Sequence, residues 1–158
     1  LAPGLRAGDL VVPSSVTDAS ERWATDTRLM TRLGGCTGHG LLGGDTVLAT
    51  VAEKAAAYAA GADAVDLESA AVARTAAAAG LPFAVLRAIC DEAGRPLPRA
   101  AVVALDAEGK ISIGRVLGAL LRQPGDIFAL MALGRDAARA RTALLGRVQA
   151  TSLIGAAA

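Results

Sequence analysis

Residues 64–91 read AVDLESAAVARTAAAAGLPFAVLRAICD, and this stretch decides the fold. Ala64-Val65-Asp66-Leu67 has the length and apolar character of a short strand. Ser69 to Ala79 is an alanine-rich run of strong helix formers closed by Gly80, with Ser69 in the position of an N-cap. Pro82 to Cys90 is almost continuously apolar, as expected of a parallel strand buried on both faces, and Asp91 follows its carboxyl end. Upstream, Val51 to Ala60 (VAEKAAAYAA) predicts a helix that stops at Gly61. Helix, strand, helix and strand therefore alternate. Such an order predicts an α/β sandwich with a largely parallel sheet, whose ligands bind beyond the carboxyl ends of the strands.

Further out the signals weaken. Asp9 to Pro13 (DLVVP) reads as a short strand, Ser14 to Thr31 as a polar loop carrying the single tryptophan, Trp23, and Gly34 to Asp45 as a glycine-dense loop. Thr46 to Ala49 is a brief apolar segment with the character of a strand end. After the Arg95-Pro96-Leu97-Pro98 connection, Ile111–Gln123 and Ile127–Val148 carry apolar residues at helical spacing and predict two packed helices split at Pro124-Gly125. Gly155 to Ala158 reads as a frayed end. The chain is thus read as a single domain, with residues 1–110 as sheet and site region and residues 111–158 as a helical tail.

Bulk properties exclude several function classes. A chain of 158 residues that is 53% hydrophobic and 20% charged is neither a disordered tail nor too small for a core. Sixteen basic against 15 acidic side chains leave a net charge of +1, so no overall field draws nucleic acid. Cys36 and Cys90 are isolated and suggest neither a disulfide framework nor a zinc site. No run of roughly 18 apolar residues spans a bilayer, the first residues lack the pattern of a signal peptide, and a cytoplasmic setting follows by default. The tail is different in character: residues 111–158 hold six arginines against Asp126 and Asp136, a local charge of +4. A helix pair packed on the sheet with solvated arginines is the favoured account, and peripheral contact with an anionic inner membrane is the alternative.

Two motifs compete for the chemistry. Gly38-His39-Gly40-Leu41-Leu42-Gly43 matches GxGxxG, with Asp63 twenty positions beyond. A nicotinamide site would require these glycines to join a strand to a helix beginning at Gly43, and the surrounding residues argue against both. His39, the only histidine, has no GxSxG elbow to serve and reads as a loop residue. Cys90, with no basic neighbour in sequence, reads as a packing thiol. Glu68 and Asp91 are more informative: each ends a predicted strand after apolar residues, which predicts that both enter one poorly solvated crevice. Strand-end acids also cap helices, and spacing alone does not separate the two accounts.

The paired segments 64–73 (AVDLESAAVA) and 80–91 (GLPFAVLRAICD) resemble the purine nucleoside phosphorylase and methylthioadenosine/S-adenosylhomocysteine nucleosidase superfamily. That superfamily has a V-E-M-E-like strand end, an alanine-rich helix and a V-P-F-x-x-x-R-x-I-S-D segment. Gly44-Asp45-Thr46-Val47 and the helix containing Glu53 and Lys54 also fall where the family places its G-D-x-F segment and following helix. Through Asp66-Leu67-Glu68-Ser69, Arg87-Ala88-Ile89-Cys90-Asp91 and its arginine-rich tail, the chain is most similar to the hopanoid-associated phosphorylase branch, which removes adenine from adenosylhopane.

The resemblance implies a three-layer α/β sandwich with a mixed, largely parallel sheet lacking the family's first strands. It implies cleavage of the N-glycosidic bond of a purine nucleoside, one that is lipid-linked if the hopanoid likeness holds, in a homo-oligomer. No cofactor is implied; phosphate enters as co-substrate if the reaction is phosphorolysis. By position, Asp91 corresponds to the acid that protonates N7 of the leaving purine and Glu68 to the carboxylate that holds the ribose hydroxyls. Leu67 lies beside Glu68. Val47, where the family often has phenylalanine, and Leu48 correspond to the base-contacting segment, and Cys90 stands where a serine is usual. The family's phosphate or water loop precedes the region matching Leu1, which leaves phosphorolysis and hydrolysis equally open. A catalytically silent unit that binds a nucleoside or assembles with a partner is the alternative.

Overall fold

A computed structural model describes residues 1–102, 118 and 125–156 of the chain. The described residues form, in order, β1 (Leu10–Val11), β2 (Ser15–Thr17), β3 (Arg22–Ala24), α1 (Thr27–Arg32), β4 (Gly40–Gly43), α2 (Val51–Ala59), β5 (Ala64–Asp66), α3 (Ser69–Ala78), β6 (Arg87–Ala88), α4 (Arg99–Val102) and α5 (Asp126–Ala156). β3, β2, β4 and β5 form one sheet in that order; β2–β4 and β4–β5 pair in parallel and β2–β3 antiparallel. β1 and β6 make a separate antiparallel ribbon, with Leu10 opposite Ala88 and Val11 opposite Arg87. The fold is α/β with a mixed sheet, as expected.

Local chemistry explains the two helices read with most ease. Thr50 and Glu53 form a reciprocal capping box: the Glu53 N–H donates to Thr50 Oγ1 at 3.2 Å, and the Thr50 N–H donates to Glu53 Oε2 at 2.8 Å. α2 ends where Gly61 takes φ +96°, a left-handed conformation that costs glycine little, and the Ala62 N–H returns to the Ala57 carbonyl at 3.0 Å. α3 begins one residue from its expected cap. Glu68 holds the N-cap position without a side-chain cap bond, Ser69 is the first helical residue, and Asp66 Oδ1 accepts from the Ser69 N–H at 2.9 Å.

Four expectations are corrected. The polar loop of residues 14–31 contains the β2–β3 hairpin and α1, whose N-cap Asp26 accepts from the Leu29 N–H at 2.9 Å. The glycine-dense loop contains β4, an inner strand of the sheet, with Leu41 buried in the core. Thr46 to Ala49 forms no strand. Pro82 to Cys90 is not a buried parallel strand: only Arg87 and Ala88 pair, and they pair antiparallel, while Pro82 and Cys90 are exposed. Its apolar run predicts burial, yet of its residues only Val85 is buried. At the tail, the expected helix over 127–148 exists within α5, whose last described residues include Gly155 and Ala156 in place of a frayed end. The companion helix expected over 111–123 lies outside the described residues apart from Gly118.

The core joins Val11, Val16, Leu41, Ala64, Ala70, Ala73 and Val85, flanked by Leu5, Trp23, Phe83 and Ile89. Trp23 also lies under the Arg74 guanidinium, 5.7 Å from the ring centre, and Arg74 reaches Asp18 at 2.6 Å. α3 packs on β2, β3 and β4, and α5 crosses the β1–β6 ribbon. The inward stripe of α5 carries Asp136 and Ala140, both buried. Asp136 binds Arg95 at 2.5 Å and Arg139 at 3.0 Å, and Arg147 donates to the Leu33 carbonyl at 2.6 Å. Asp136 and Arg147 thus tie α5 to the body of the protein, as the packed account of the tail expects of residues 127–148.

Two of the three glycines of the GxGxxG pattern, Gly40 and Gly43, are there for packing, whereas Gly38 takes φ +75° in open space. A Cβ on Gly43 would lie 2.5 Å from both Cβ and N of Ala70, and one on Gly40 would lie 3.0 Å from the Gly61 carbonyl. β4 passes so close to the start of α3 that only hydrogen fits. Gly43 ends a strand and the next helix starts at Val51, so the strand-to-helix turn of a dinucleotide site is absent. Gly43→Ala should therefore cost about 1–3 kcal/mol through overpacking, readable as a lowered denaturant midpoint; an unchanged midpoint would show that α3 can move aside.

Acid stability follows from the carboxylates. The Asp18 side chain accepts from the Ser20 and Glu21 N–H groups, both at 2.8 Å, and these bonds with Arg74 hold its pKa at about 2. Hydrogen bonds from the Thr50 N–H and hydroxyl lower Glu53, and the Arg95 hydrogen bond lowers Asp136. A depressed pKa favours the ionised folded form, so this contribution is complete above the unfolded carboxylate range near 4 and is lost as the pH falls through the folded values. The midpoint of thermal unfolding should drop between about pH 4 and pH 2, and less steeply in Asp18→Asn.

Candidate active site

The sheet and ribbon bring two carboxylate clusters to the carboxyl ends of β5 and β6. In the first, Arg87 of β6 donates through Nε to Asp66 and through Nη2 to Glu68, while the Ser69 hydroxyl donates to Asp66. Burial alone would lower the Arg87 pKa, but the hydrogen bonds it donates to the two carboxylates outweigh it and raise it. Asp66, only 9% exposed, is the inner partner; the Glu68 side chain is 69% exposed. The expectation that Glu68 enters a poorly solvated crevice is therefore corrected. It lies two residues beyond the end of β5, and its charge is met by a guanidinium at the surface. Leu67 beside it is also exposed.

The second cluster centres on Asp91, whose side chain is 24% exposed. Burial pushes its carboxyl pKa up, as its position after an apolar segment led one to expect, and the hydrogen bond from Lys54 pulls the other way. Lys54 Nζ lies 2.6 Å from Asp91 Oδ2. It also donates to the carbonyls of Glu92 at 3.0 Å and Arg95 at 2.6 Å. Asp91 lines a cavity of about 240 Å³ with Arg95, Pro96, Leu97, Pro98 and, from α5, Ala129, Ala132 and Leu133. That is below the roughly 300–1,000 Å³ of typical small-ligand sites and fits part of a ligand.

The remaining candidates fall around these clusters. Val47 and Leu48 are half-buried between β4 and α2, and the next residue is tied to the cavity wall by the Leu97 N–H, which donates to the Ala49 carbonyl at 2.8 Å. Cys90 reaches the surface, yet the protein packed against its inner side and the Asp91 carboxylate raise its pKa, which keeps it a thiol. Glu68 does not line the Asp91 cavity, so the single crevice expected for both acids resolves into two adjoining sites on different sheets. Sequence reasoning missed Lys54 as a site residue and missed the way Arg87 joins Asp66 to Glu68. Among the described residues no cluster of His, Cys, Asp and Glu is arranged to hold a metal, and no helix is long and apolar enough to cross a membrane.

The chain belongs to the phosphorylase superfamily, whose sequence profile matches residues 35–122. No curated protein matches it significantly. Solved structures of similar fold include a 5′-methylthioadenosine/S-adenosylhomocysteine nucleosidase from Campylobacter jejuni, 21% identical, TM-score 0.56, with 84% of this chain and 63% of that chain covered. A putative methylthioadenosine nucleosidase from Weissella paramesenteroides is 24% identical, TM-score 0.52, with 58% and 53% covered. A putative 5′-methylthioadenosine/S-adenosylhomocysteine nucleosidase from Borrelia burgdorferi bound to adenine is 18% identical, TM-score 0.52, with 75% and 62% covered. The chain thus spans between 53% and 63% of these structures' length.

Proposed function

We propose that the protein cleaves the N-glycosidic bond of an adenosine-type purine nucleoside, with Asp91 as the general acid for the departing base and Glu68 as the ribose ligand. The observation that carries this reading is Asp91: a carboxyl group whose pKa is raised by burial, lining a cavity, within the residues matched to the superfamily. A purine leaves as an anion unless a proton reaches its ring nitrogen, and an acid whose pKa is raised holds that proton to higher pH than a free carboxyl would. Glu68, paired with Arg87, would accept from ribose hydroxyls and favour the cationic ribosyl character of the transition state. Leu67, Val47, Leu48 and Cys90 complete the proposed binding residues. Residues 1–110 carry these named residues and residues 111–158 form the tail, whose α5 adds one wall of the Asp91 cavity, in a chain expected to self-associate.

The test is release of free base from adenosine, methylthioadenosine and adenosylhopane by the whole gene product, with and without phosphate. Release that depends on phosphate defines a phosphorylase; release without it, a nucleosidase. A silent nucleoside-binding or assembly unit is the second reading; it would bind adenine and release none.

One observation supports contact with lipid. Phe128 is 77% exposed, with Ile127 and Met131 also exposed, on the flank and far face of the α5 turns whose Ala129, Ala132 and Leu133 line the Asp91 cavity. Such an apolar surface suits a lipid interface against which α5 lies. Flotation with anionic liposomes should weaken severalfold in a Phe128→Ser, Met131→Ser double variant, about 2 kcal/mol or more of apolar transfer being lost; unchanged flotation would remove the membrane and lipid contact.

A further inference from the structure

Lys54 is a charged residue in an alanine-rich helix, where the usual expectation is a solvated side chain. It is instead 1% exposed, the largest fully buried side chain among the described residues. A lysine ammonium has three N–H donors and no acceptor, and here it meets three acceptors: Asp91 Oδ2 at 2.6 Å, the Glu92 carbonyl at 3.0 Å and the Arg95 carbonyl at 2.6 Å. Every donor has a place, so the ammonium is fixed in orientation as well as in position. The acceptors all belong to the turn that follows β6, which also forms one wall of the Asp91 cavity.

We propose that Lys54 is a positioning residue for the reaction assigned above: its buried ammonium grips one oxygen of Asp91 and the two carbonyls that follow, and so fixes the acid's place and charge at the cavity. The proposal rests on the reading of Asp91 as the acid. With Oδ2 bound to Lys54, Oδ1 is the oxygen free to carry the proton toward the base. The cation also opposes the effect of burial on the carboxyl group, which keeps Asp91 from becoming too weak an acid to release its proton as the base departs. Other charges around Asp91 are Arg95 and Glu92 in the same turn, the neighbouring Cys90 thiol, the Leu1 amine, and Asp136 of α5, which is neutralised by Arg95 and Arg139. Among these, Lys54 alone bonds the Asp91 carboxylate.

Carbon-13 NMR of the aspartate carboxyl groups in the whole gene product gives the first readout, with the Asp91 signal assigned by its loss in Asp91→Asn. Lys54→Gln keeps two donors for the carbonyls and removes the charge, and Lys54→Met removes both; the pair guards against a variant that fails to fold. In Lys54→Gln the Asp91 titration should move up by about one pH unit or more, as expected on loss of an opposite charge in contact. For turnover, kcat should fall about 10- to 100-fold from misplacement of the acid, with KM little changed and the alkaline limb of the pH profile moving up with the titration. In the Asp91→Asn background, Lys54→Gln should lower kcat no further. An unmoved titration overturns the proposal, and so does a kcat loss of equal size with and without the Asp91 carboxyl, which is the mark of a merely structural lysine. Absence of base release by the unsubstituted protein would instead overturn the assigned reaction, while the titration still decides whether Lys54 governs Asp91.

Discussion

Asp91→Asn in the whole gene product should lower kcat about 10²- to 10⁴-fold, the range typical of a lost general acid, with little change in KM. Asparagine keeps the shape of the side chain, and its carbonyl oxygen still accepts from Lys54, so the turn beyond β6 should hold. What it cannot do is deliver a proton to the departing purine. A nucleoside whose base leaves readily without protonation should therefore recover most of the lost rate in this variant. The pH dependence follows from the direction of the Asp91 shift. Burial raises the carboxyl pKa, so the protonated form survives to higher pH in the folded protein than in the unfolded chain. Activity should fall as the pH rises through that raised value. The group's contribution to stability has the same sign, present below the unfolded carboxylate range and lost as the pH rises through the folded value.

Glu68→Gln should act on a different step. The side chain is mostly solvated and held by Arg87, which also binds Asp66. An amide there accepts hydroxyl hydrogen bonds less well and carries no charge to face a ribosyl cation. KM should rise and kcat should fall together, with a combined loss in kcat/KM of about 10²- to 10³-fold, the size seen when one preorganised electrostatic group is removed. No choice of leaving group should rescue this variant, because the missing interaction is with the sugar. Rescue of Glu68→Gln, or near-normal activity in both carboxylate variants, would return the two acids to a structural role.

The parts of this fold that are legible in the sequence are those whose causes are local. Thr50 and Glu53 start α2 and Gly61 ends it, all within twelve residues, and the alanine run between Ser69 and Gly80 needs no partner to be read as a helix. β4 has no such local cause. Gly-Leu-Leu-Gly is a strand because β2 and β5 flank it and because Ala70 sits where side chains on Gly43 would be. The β2–β3 hairpin hides for a related reason: its strands are three residues each, and its turn is held by the Asp18 side chain. The apolar run of 82–90 misleads in the other direction, since hydrophobicity marks a candidate for burial and pairing partners decide what is built.

The site divides along the same line. Asp91 and Glu68 can be picked out because strand-end acids after apolar residues are conspicuous, and the family motif orders them. Their environments depend on residues far away in the chain. Lys54 reaches Asp91 across 37 positions and Arg87 reaches Glu68 across 19, and both contacts are invisible to periodicity. Burial separates the two acids further: one is sheltered by α2 and α5, the other stands at the surface. A shared crevice could be expected from strand order, but the assignment of β5 and β6 to different sheets could not.

The measurement that tests the account most directly is release of free purine from adenosine-type nucleosides by the whole gene product and by its Asp91→Asn variant under the same conditions. The account predicts base release by the first and at least a roughly hundredfold slower release by the second. Equal rates in the two, or no release from any purine nucleoside by the unsubstituted protein with or without phosphate, would contradict it.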